Sequence, residues 1–233
     1  MITEISGESG TGKTQFCMQL MLQALLPSKY GGLQGGSYYI STHKSMSETR
    51  FEELKESYCL KYPRILKTKE IESSITVTHL TDKNKDELKL YIDDVKRKLE
   101  AKENIRLLII DSITAVCYSF VDEANVTDHF ERAKFLLTLV NMIKKLAYQY
   151  NLVVVVINNT VGDIEKTQNF GQTNIPALGI LWANSINQRI FLTRQHTKAG
   201  TKRQMEIMFS PLLSQSKVEF TIIKEGITEH IPS

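Results

Sequence analysis

The feature that most constrains the fold is a glycine-rich segment at residues 7–14, Gly-Glu-Ser-Gly-Thr-Gly-Lys-Thr. A short alternating segment before it predicts a strand, and a helical pattern follows it at once. This context fits the P-loop, in which backbone N–H groups at a strand-to-helix turn surround a phosphate chain. The alternative is a glycine-rich turn that only caps the helix. The residues that we predict to bind a nucleotide are Gly7, Glu8, Ser9, Gly10, Thr11, Gly12, Lys13, Thr14 and Gln15.

Two further predictions concern phosphate charge and a metal ion. Within a P-loop, Lys13 is expected to pair with the β- and γ-phosphates and Thr14 to bind Mg²⁺. A continuous apolar run at residues 107–110 predicts a strand that is covered on both faces, and Asp111 follows it. P-loop folds place their second magnesium group at the end of such a strand, so we predict that Thr14 and Asp111 bind Mg²⁺. The alternative for Asp111 is a cap of the next helix.

Strand-like and helix-like segments alternate along most of the chain. This alternation predicts an α/β fold with a mostly parallel central sheet and helices on both faces. The longest predicted helix runs from residue 130 to 150, with Ala133, Leu137, Val140, Ile143 and Ala147 facing inward. Residues 160–176 form the longest irregular stretch, and a loop of that length is often functional. The predicted strands before this loop are residues 1–5, 38–40, 75–78, 107–110 and 152–157.

The last fifth of the chain has a different pattern. Three strand-like runs, at residues 189–193, 205–209 and 218–223, follow one another with no helical pattern between them. A turn at residues 199–202 joins the first two, which predicts an antiparallel extension of the sheet. With 233 residues, of which 42% are apolar, the chain can bury a sizeable core. We expect residues 1–233 to form one domain.

Composition excludes several classes of protein. The net charge of +3 is too small to indicate a nucleic-acid partner by itself. Cys17, Cys59 and Cys117 are far apart, which argues against a disulfide scaffold or a zinc knuckle and suits a reducing compartment. No apolar run reaches the length of about 20 residues that spans a bilayer. We therefore expect no membrane partner.

The motifs together resemble the RecA-like recombinases of eukaryotes, and within them the recombinase paralogues of the X-ray-repair cross-complementing type. The resemblance extends from residue 2 to about residue 227. It is carried by Ile2–Ile5, by the P-loop with Gln15, by Tyr39-Ile40-x-Thr42, by Ile109–Ser112, by Val154–Asn158, by Pro176–Gly179, by Trp182–Asn184, by Arg189 and by Ser210-Pro211, with similar segments at Leu26-Pro27 and Gly31–Leu33.

The resemblance implies a RecA-like P-loop ATPase core that binds ATP and Mg²⁺. It further implies a nuclear protein that acts in homologous-recombination DNA repair and assists a strand-exchange recombinase. The implied partners are related paralogue subunits, the main recombinase, and single-stranded or branched DNA. The alternative is an active DNA-dependent ATPase that performs strand exchange itself. A P-loop kinase for small molecules is a more distant alternative, because it would lack the terminal antiparallel strands.

Two departures from the family pattern bear on hydrolysis. In the recombinases, a glutamate follows the Tyr-Ile-x-Thr strand, and this glutamate activates the attacking water. This chain has His43 at that position. The family's Asn-Gln sensor pair is Asn158-Asn159 here, and Asn159 is one methylene shorter than glutamine. We expect weak turnover with little stimulation by DNA, since a carboxylate is the usual base. The alternative is that Glu48 supplies the base.

Departures also occur where the family contacts DNA. The first DNA loop corresponds to residues 118–128, which hold three acidic residues and no basic one, so it is predicted to bind phosphate poorly. The second loop carries Lys166 and Phe170, which could contact single-stranded DNA by charge and stacking. An ordinary solvated loop is the alternative. Family members usually carry a helical domain and a polymerisation linker before the P-loop strand, and none precedes it here. The sequence is either a fragment or a short member, and we expect no long filaments of this chain alone.

Basic residues gather near the predicted antiparallel hairpin, and an aromatic residue follows them. A solvated sheet edge is the simplest interpretation of the basic group, and a surface that contacts phosphate or a partner is the alternative. Phe209 stands where active recombinases have an acidic residue that reaches a neighbour's nucleotide. It is either a contact for an apolar neighbour or an inward residue of a strand. The basic residues are Arg189, Arg194, Lys198, Lys202 and Arg203.

Overall fold

The computed structural model describes residues 1–42, 46–81, 84–118, 126–160, 178–197 and 200–229. Its strands are β1 (Ile2–Gly7), β2 (Gly36–Ser41), β3 (Ile75–His79), β4 (Ile105–Asp111), β5 (Val153–Asn159), β6 (Gln188–Thr197), β7 (Gly200–Phe209), β8 (Lys217–Ile223) and β9 (Gly226–Glu229). Its helices are α1 (Lys13–Leu25), α2 (Glu48–Lys61), α3 (Thr68–Ser74), α4 (Lys85–Glu100), α5 (Ile113–Tyr118), α6 (Val126–Gln149) and α7 (Gly179–Ala183).

The nine strands of the described residues form one sheet in the order β3-β2-β4-β5-β1-β6-β7-β8-β9. The pairs from β3 to β6 are parallel, and the pairs from β6 to β9 are antiparallel. The helices cover both faces, because one core layer contains side chains of α1, α2 and α3 and the other contains side chains of α4, α5, α6 and α7. The predicted α/β fold with its antiparallel extension is confirmed.

Helix α4 illustrates how local sequence sets an element. The side-chain oxygen of Asn84 accepts a hydrogen bond of 2.8 Å from the backbone N–H of Asp86, so Asn84 caps the helix. Acidic residues lie in its first turn and basic residues in its last, which complements the helix dipole. The residues of its buried stripe are Leu88, Ile92, Val95 and Leu99.

The inward face that the sequence predicted for helix α6 was partly wrong. Leu137 is 45% exposed, whereas Leu136 is buried. The reason is the helical period, since each residue turns the helix by about 100°. Leu136 therefore lies within about 20° of the buried Ile143, and Leu137 lies about 120° away from it. In the described parts of the chain, no helix combines the length and the apolar character needed to cross a bilayer.

The parallel strand order determines where polar residues meet. Strands β4, β5 and β1 are neighbours, and their carboxyl ends lie at the same edge of the sheet. Gly7 is paired with Asn159 across the β1–β5 ladder, and Asp111 is paired with Ile157 across the β4–β5 ladder. The carboxyl edge of a parallel sheet is where open α/β folds bind ligands.

Candidate nucleotide-binding site

The glycine-rich segment forms the turn between β1 and α1. Its glycines adopt positive φ, with values of 78° at Gly10 and 110° at Gly12, a conformation that disfavours other residues. Gly12 is the N-cap of α1 and, as a glycine, makes no side-chain capping hydrogen bond. A Cβ at Gly12 would lie only 2.9 Å from Ile222 Cδ1. The backbone N–H groups at the start of α1 are therefore left to bind an anion.

Lys13 points back into the turn that it follows. Its Nζ donates hydrogen bonds to the carbonyl oxygens of Gly7 at 2.8 Å and Glu8 at 2.7 Å. Burial lowers the pKa of Lys13 from 10.5 to about 8, although the charge of Asp111 opposes this shift. The turn thus holds an ammonium group that has lost much of its hydration. An anion in the cleft would stabilise its positive charge.

Asp111 lies beside the start of α1, at the end of β4. Thr14 Oγ1 donates to Asp111 Oδ2 at 2.9 Å, and the Tyr39 hydroxyl donates to the same oxygen at 2.8 Å. Burial, and then the charge of Asp111, raises the pKa of Tyr39, so the phenol stays protonated and keeps donating. The structure therefore brings together the two residues predicted to bind Mg²⁺.

These oxygens fit Mg²⁺ but cannot complete its coordination. A hydroxyl and a carboxylate are hard oxygen ligands, which Mg²⁺ prefers. Among the described residues, no group of three or more His, Cys, Asp or Glu side chains forms a self-sufficient metal site. Mg²⁺ held by one carboxylate normally draws its other ligands from phosphates and water. The donor set therefore suits a metal that arrives with a phosphate ligand.

A cleft of about 560 Å³ lies over these groups. Its polar lining combines the P-loop with the ends of β4 and β5, and two arginines extend the lining beyond these elements. Of the predicted residues, Glu8 and Gln15 take part through hydrogen bonds, since the Glu8 carbonyl accepts from Lys13 and Gln15 Oε1 accepts from Arg50 Nε at 2.9 Å. The lining residues are Ser9, Gly10, Gly12, Lys13, Thr14, Gln15, Arg50, Asp111, Ser112, Asn159, Arg203 and Ile222.

Arg50 was missed by the sequence analysis. Besides Gln15, it contacts the carbonyl oxygen of Lys224 at 2.9 Å and that of Ile223, so it joins α2 to the turn after β8. These partners lie 35 to 174 residues away in the chain, and no local pattern indicates such contacts.

Asn159 is the cleft end of a buried hydrogen-bond chain. Its Nδ2 donates to Ser112 Oγ at 3.1 Å, and its backbone N–H donates to Thr114 Oγ1 at 2.9 Å. Thr114 in turn donates to the Asn158 Oδ1 at 2.6 Å, and Asn158 donates to Glu4 at 2.8 Å. Glu4, with no exposed surface, also accepts from Trp182 Nε1 at 2.7 Å and from Arg189 Nε. The predicted sensor position is thus connected to α7 and β6.

Other predicted residues fall elsewhere. His43, Lys166, Phe170 and Lys198 lie outside the described residues, as do most of residues 118–128 and all but the first residue of the stretch 160–176. Glu48, the alternative base, lines a separate cavity of about 290 Å³. Phe209 is partly buried, and the Arg189 guanidinium lies 5.3 Å from its ring centre. The packing of Phe209 favours the interpretation of an inward strand residue.

Comparison with known proteins identifies the family. A family model described as Rad51 matches residues 1–230. The DNA repair protein XRCC3 homolog of Arabidopsis thaliana is 27% identical, and the match covers 97% of this chain and 85% of the relative. The DNA repair protein RAD51 homolog 2 of Homo sapiens is 30% identical over 97% of this chain and 62% of the relative. The DNA repair protein XRCC3 of Mus musculus is 29% identical over 97% of this chain and 68% of the relative.

The chain thus spans only part of each of these relatives. The resemblance deduced from the motifs is nevertheless confirmed, because the family match extends over almost every residue. The chain belongs to the Rad51 family.

Proposed function

We propose that this protein is an ATP-binding recombinase paralogue that acts in homologous-recombination DNA repair, as a subunit that assists a strand-exchange recombinase. The observation that carries the proposal is the convergence of Lys13, Thr14 and Asp111 on one cleft in a Rad51-family chain. The names of the relatives, which are DNA repair proteins, support the biological role. In this proposal residues 1–233 form a single RecA-like core.

Each part of the cleft has a role in ATP binding. The N–H groups of residues 7–14 would surround the phosphates, and Lys13 would exchange its carbonyl partners for β- and γ-phosphate oxygens. Thr14 and Asp111 would hold Mg²⁺, and the Tyr39 hydroxyl would fix the carboxylate that does so. Bound Mg²⁺ would neutralise phosphate charge and orient the phosphate chain.

ATP acts in this proposal as a conformational ligand more than as a fuel. His43 replaces a carboxylate base, and removal of a general base typically slows a reaction by about 10²–10⁴-fold. Asn159 stands at the sensor position, and its shorter side chain donates to Ser112 within the chain. Both features favour binding over turnover.

The partners and the location follow from the same family assignment. We propose related paralogue subunits and the main recombinase as protein partners, and the nucleus as the location. The proposed nucleic-acid ligand is single-stranded or branched DNA, with Lys166 and Phe170 as candidate contacts.

The test is ATP turnover by the purified chain, with and without single-stranded DNA. We expect Mg²⁺-dependent ATP binding, phosphate release near background, and little stimulation by DNA. His43→Glu should raise turnover, because it restores the carboxylate, and His43→Gln is the matched control without a base. A robust, DNA-stimulated ATPase in the unmodified chain would favour the alternative, an active strand-exchange recombinase. A gene-conversion assay in cells that lack the protein then tests the repair role.

A further inference from the structure

The hairpin formed by β6 and β7 continues past the P-loop. Strand β6 runs parallel to β1 as far as the pair Gly7–Leu192, so the rest of β6 extends beyond the end of β1. Arg194 lies in this extension, and Arg203 is its register partner on β7. Alternate residues of a strand share a face, so both arginines lie on the face of Leu192, in the core layer that contains α1. The hairpin thus brings two cations to the P-loop side of the sheet.

Both hairpin arginines, Arg194 and Arg203, reach the nucleotide cleft or its wall. Arg194 Nη1 donates to the carbonyl oxygen of Gly10 at 3.5 Å. A Cβ at residue 10 would lie only 2.4 Å from Arg194 Nη1, so the end of this exposed side chain would have to shift. Arg203 lines the cleft directly, together with Lys13 and Thr14.

No acidic side chain among the described residues balances the charges of the two arginines. Like charges opposite each other on adjacent strands are destabilising. Two described lysines near the hairpin have acidic partners, with Lys202–Glu219 at 3.9 Å and Lys217–Glu206 at 3.1 Å. Among the described residues, neither hairpin arginine makes an ion pair with an acid.

Arg203 also has an unsatisfied donor. Its Nε is buried and has no hydrogen-bond partner among the described residues. A buried donor without a partner costs free energy, and the cost is larger for charged groups. An anion in the cleft would relieve both this cost and the repulsion between the two arginines.

We propose that Arg203, supported by Arg194, is a second cationic arm of the nucleotide site and binds the phosphate chain of ATP from within the same chain. The planar guanidinium matches the geometry of phosphate oxygens, and Arg forms bidentate bonds to phosphate. Arg203 lies on the antiparallel hairpin, so ATP bound by the P-loop would contact both the β6–β7 hairpin and the start of α1. This inference rests on the proposed ATP binding and deepens it.

The test compares charge-removing variants on neighbouring residues. Titration with a fluorescent ATP analogue in the presence of Mg²⁺ gives the dissociation constants of wild type, Arg203→Gln, Arg194→Gln and Lys202→Gln. Because hydrogen bonds to charged groups are strong, we expect Arg203→Gln to bind the analogue with an affinity lower by about tenfold or more. Arg194→Gln should lose several-fold. Lys202→Gln is the matched control, because it removes the same charge from the opposite face of β7, and its affinity should stay within twofold of wild type.

A second measurement separates ligand binding from a structural role. Without nucleotide, Arg203→Gln should unfold at the same temperature as wild type or a higher one, since it removes repulsion and an unsatisfied donor. A lower unfolding temperature with unchanged affinity assigns Arg203 to structure and overturns the inference. Equal affinities of Arg203→Gln and Lys202→Gln overturn it as well, while the proposed function stands if Lys13→Ala abolishes binding. A wild-type chain that binds no nucleotide contradicts both.

Discussion

The affinity of the chain for ATP should fall as the pH rises above about 8, because Lys13 then loses its charge. Burial lowers the pKa of Lys13 to about 8 in the free chain. Only the protonated ammonium can neutralise β- and γ-phosphate charge, and bound phosphate raises the pKa of Lys13 again. Above pH 8, binding must therefore take up a proton, so affinity is full below the free-state pKa and declines above it.

The size of the effect follows from one titrating group. The dissociation constant scales with one plus the ratio of neutral to charged Lys13, so it rises by about tenfold, or about 1.4 kcal/mol, from pH 7 to pH 9. A lysine with the ordinary pKa of 10.5 would change the constant by only a few per cent over the same range. The structure and an unperturbed site thus give clearly different curves.

Titration with a fluorescent ATP analogue at saturating Mg²⁺, at pH values of about 7, 8 and 9, measures the curve. Lys13→Arg is the matched control, since a guanidinium remains charged throughout and should bind with little dependence on pH. A flat curve for wild type would refute the argument from burial, and so would an equally steep decline for Lys13→Arg.

Two further predictions test the groups behind the cleft. Tyr39→Phe removes a hydrogen-bond donor to the Asp111 carboxylate, so about tenfold more Mg²⁺ should be needed for half-maximal ATP binding. An unchanged Mg²⁺ titration would contradict this role of Tyr39. Glu4→Gln leaves the Arg189 guanidinium without its carboxylate partner, so the free energy of unfolding, measured in denaturant, should fall by about 3–5 kcal/mol. A fall below about 1 kcal/mol would contradict the importance of this buried ion pair.

The parts of the fold that could be predicted are those with local signals. The P-loop is one continuous segment, and Asp111 ends a continuous apolar run, so spacing alone indicated both. The antiparallel extension was also predictable, because its strands follow one another without a helix. The prediction for Leu137 was wrong because each step along a helix rotates the side chain by about 100°. Leu136 and Leu137 are both leucines, so residue type alone does not tell which of the two lies on the buried face of α6.

The contacts that depend on strand order could not be predicted. Tyr39 reaches Asp111 only because β2 and β4 are neighbours in the sheet. The register of β6 against β7 places Arg203 opposite Arg194, and Arg203 lines the cleft together with residues of the P-loop. The sequence showed a group of basic residues there but not which of them line the cleft.

The most direct test of the central claim is equilibrium binding of an ATP analogue to purified wild type and Lys13→Ala, with and without Mg²⁺. Circular dichroism and thermal unfolding of both proteins establish that the variant is folded. We predict saturable, Mg²⁺-dependent binding to wild type and none to Lys13→Ala, since that variant lacks the ammonium held at the turn. Equal affinity of the two folded proteins for the analogue would contradict the assignment of this cleft to ATP.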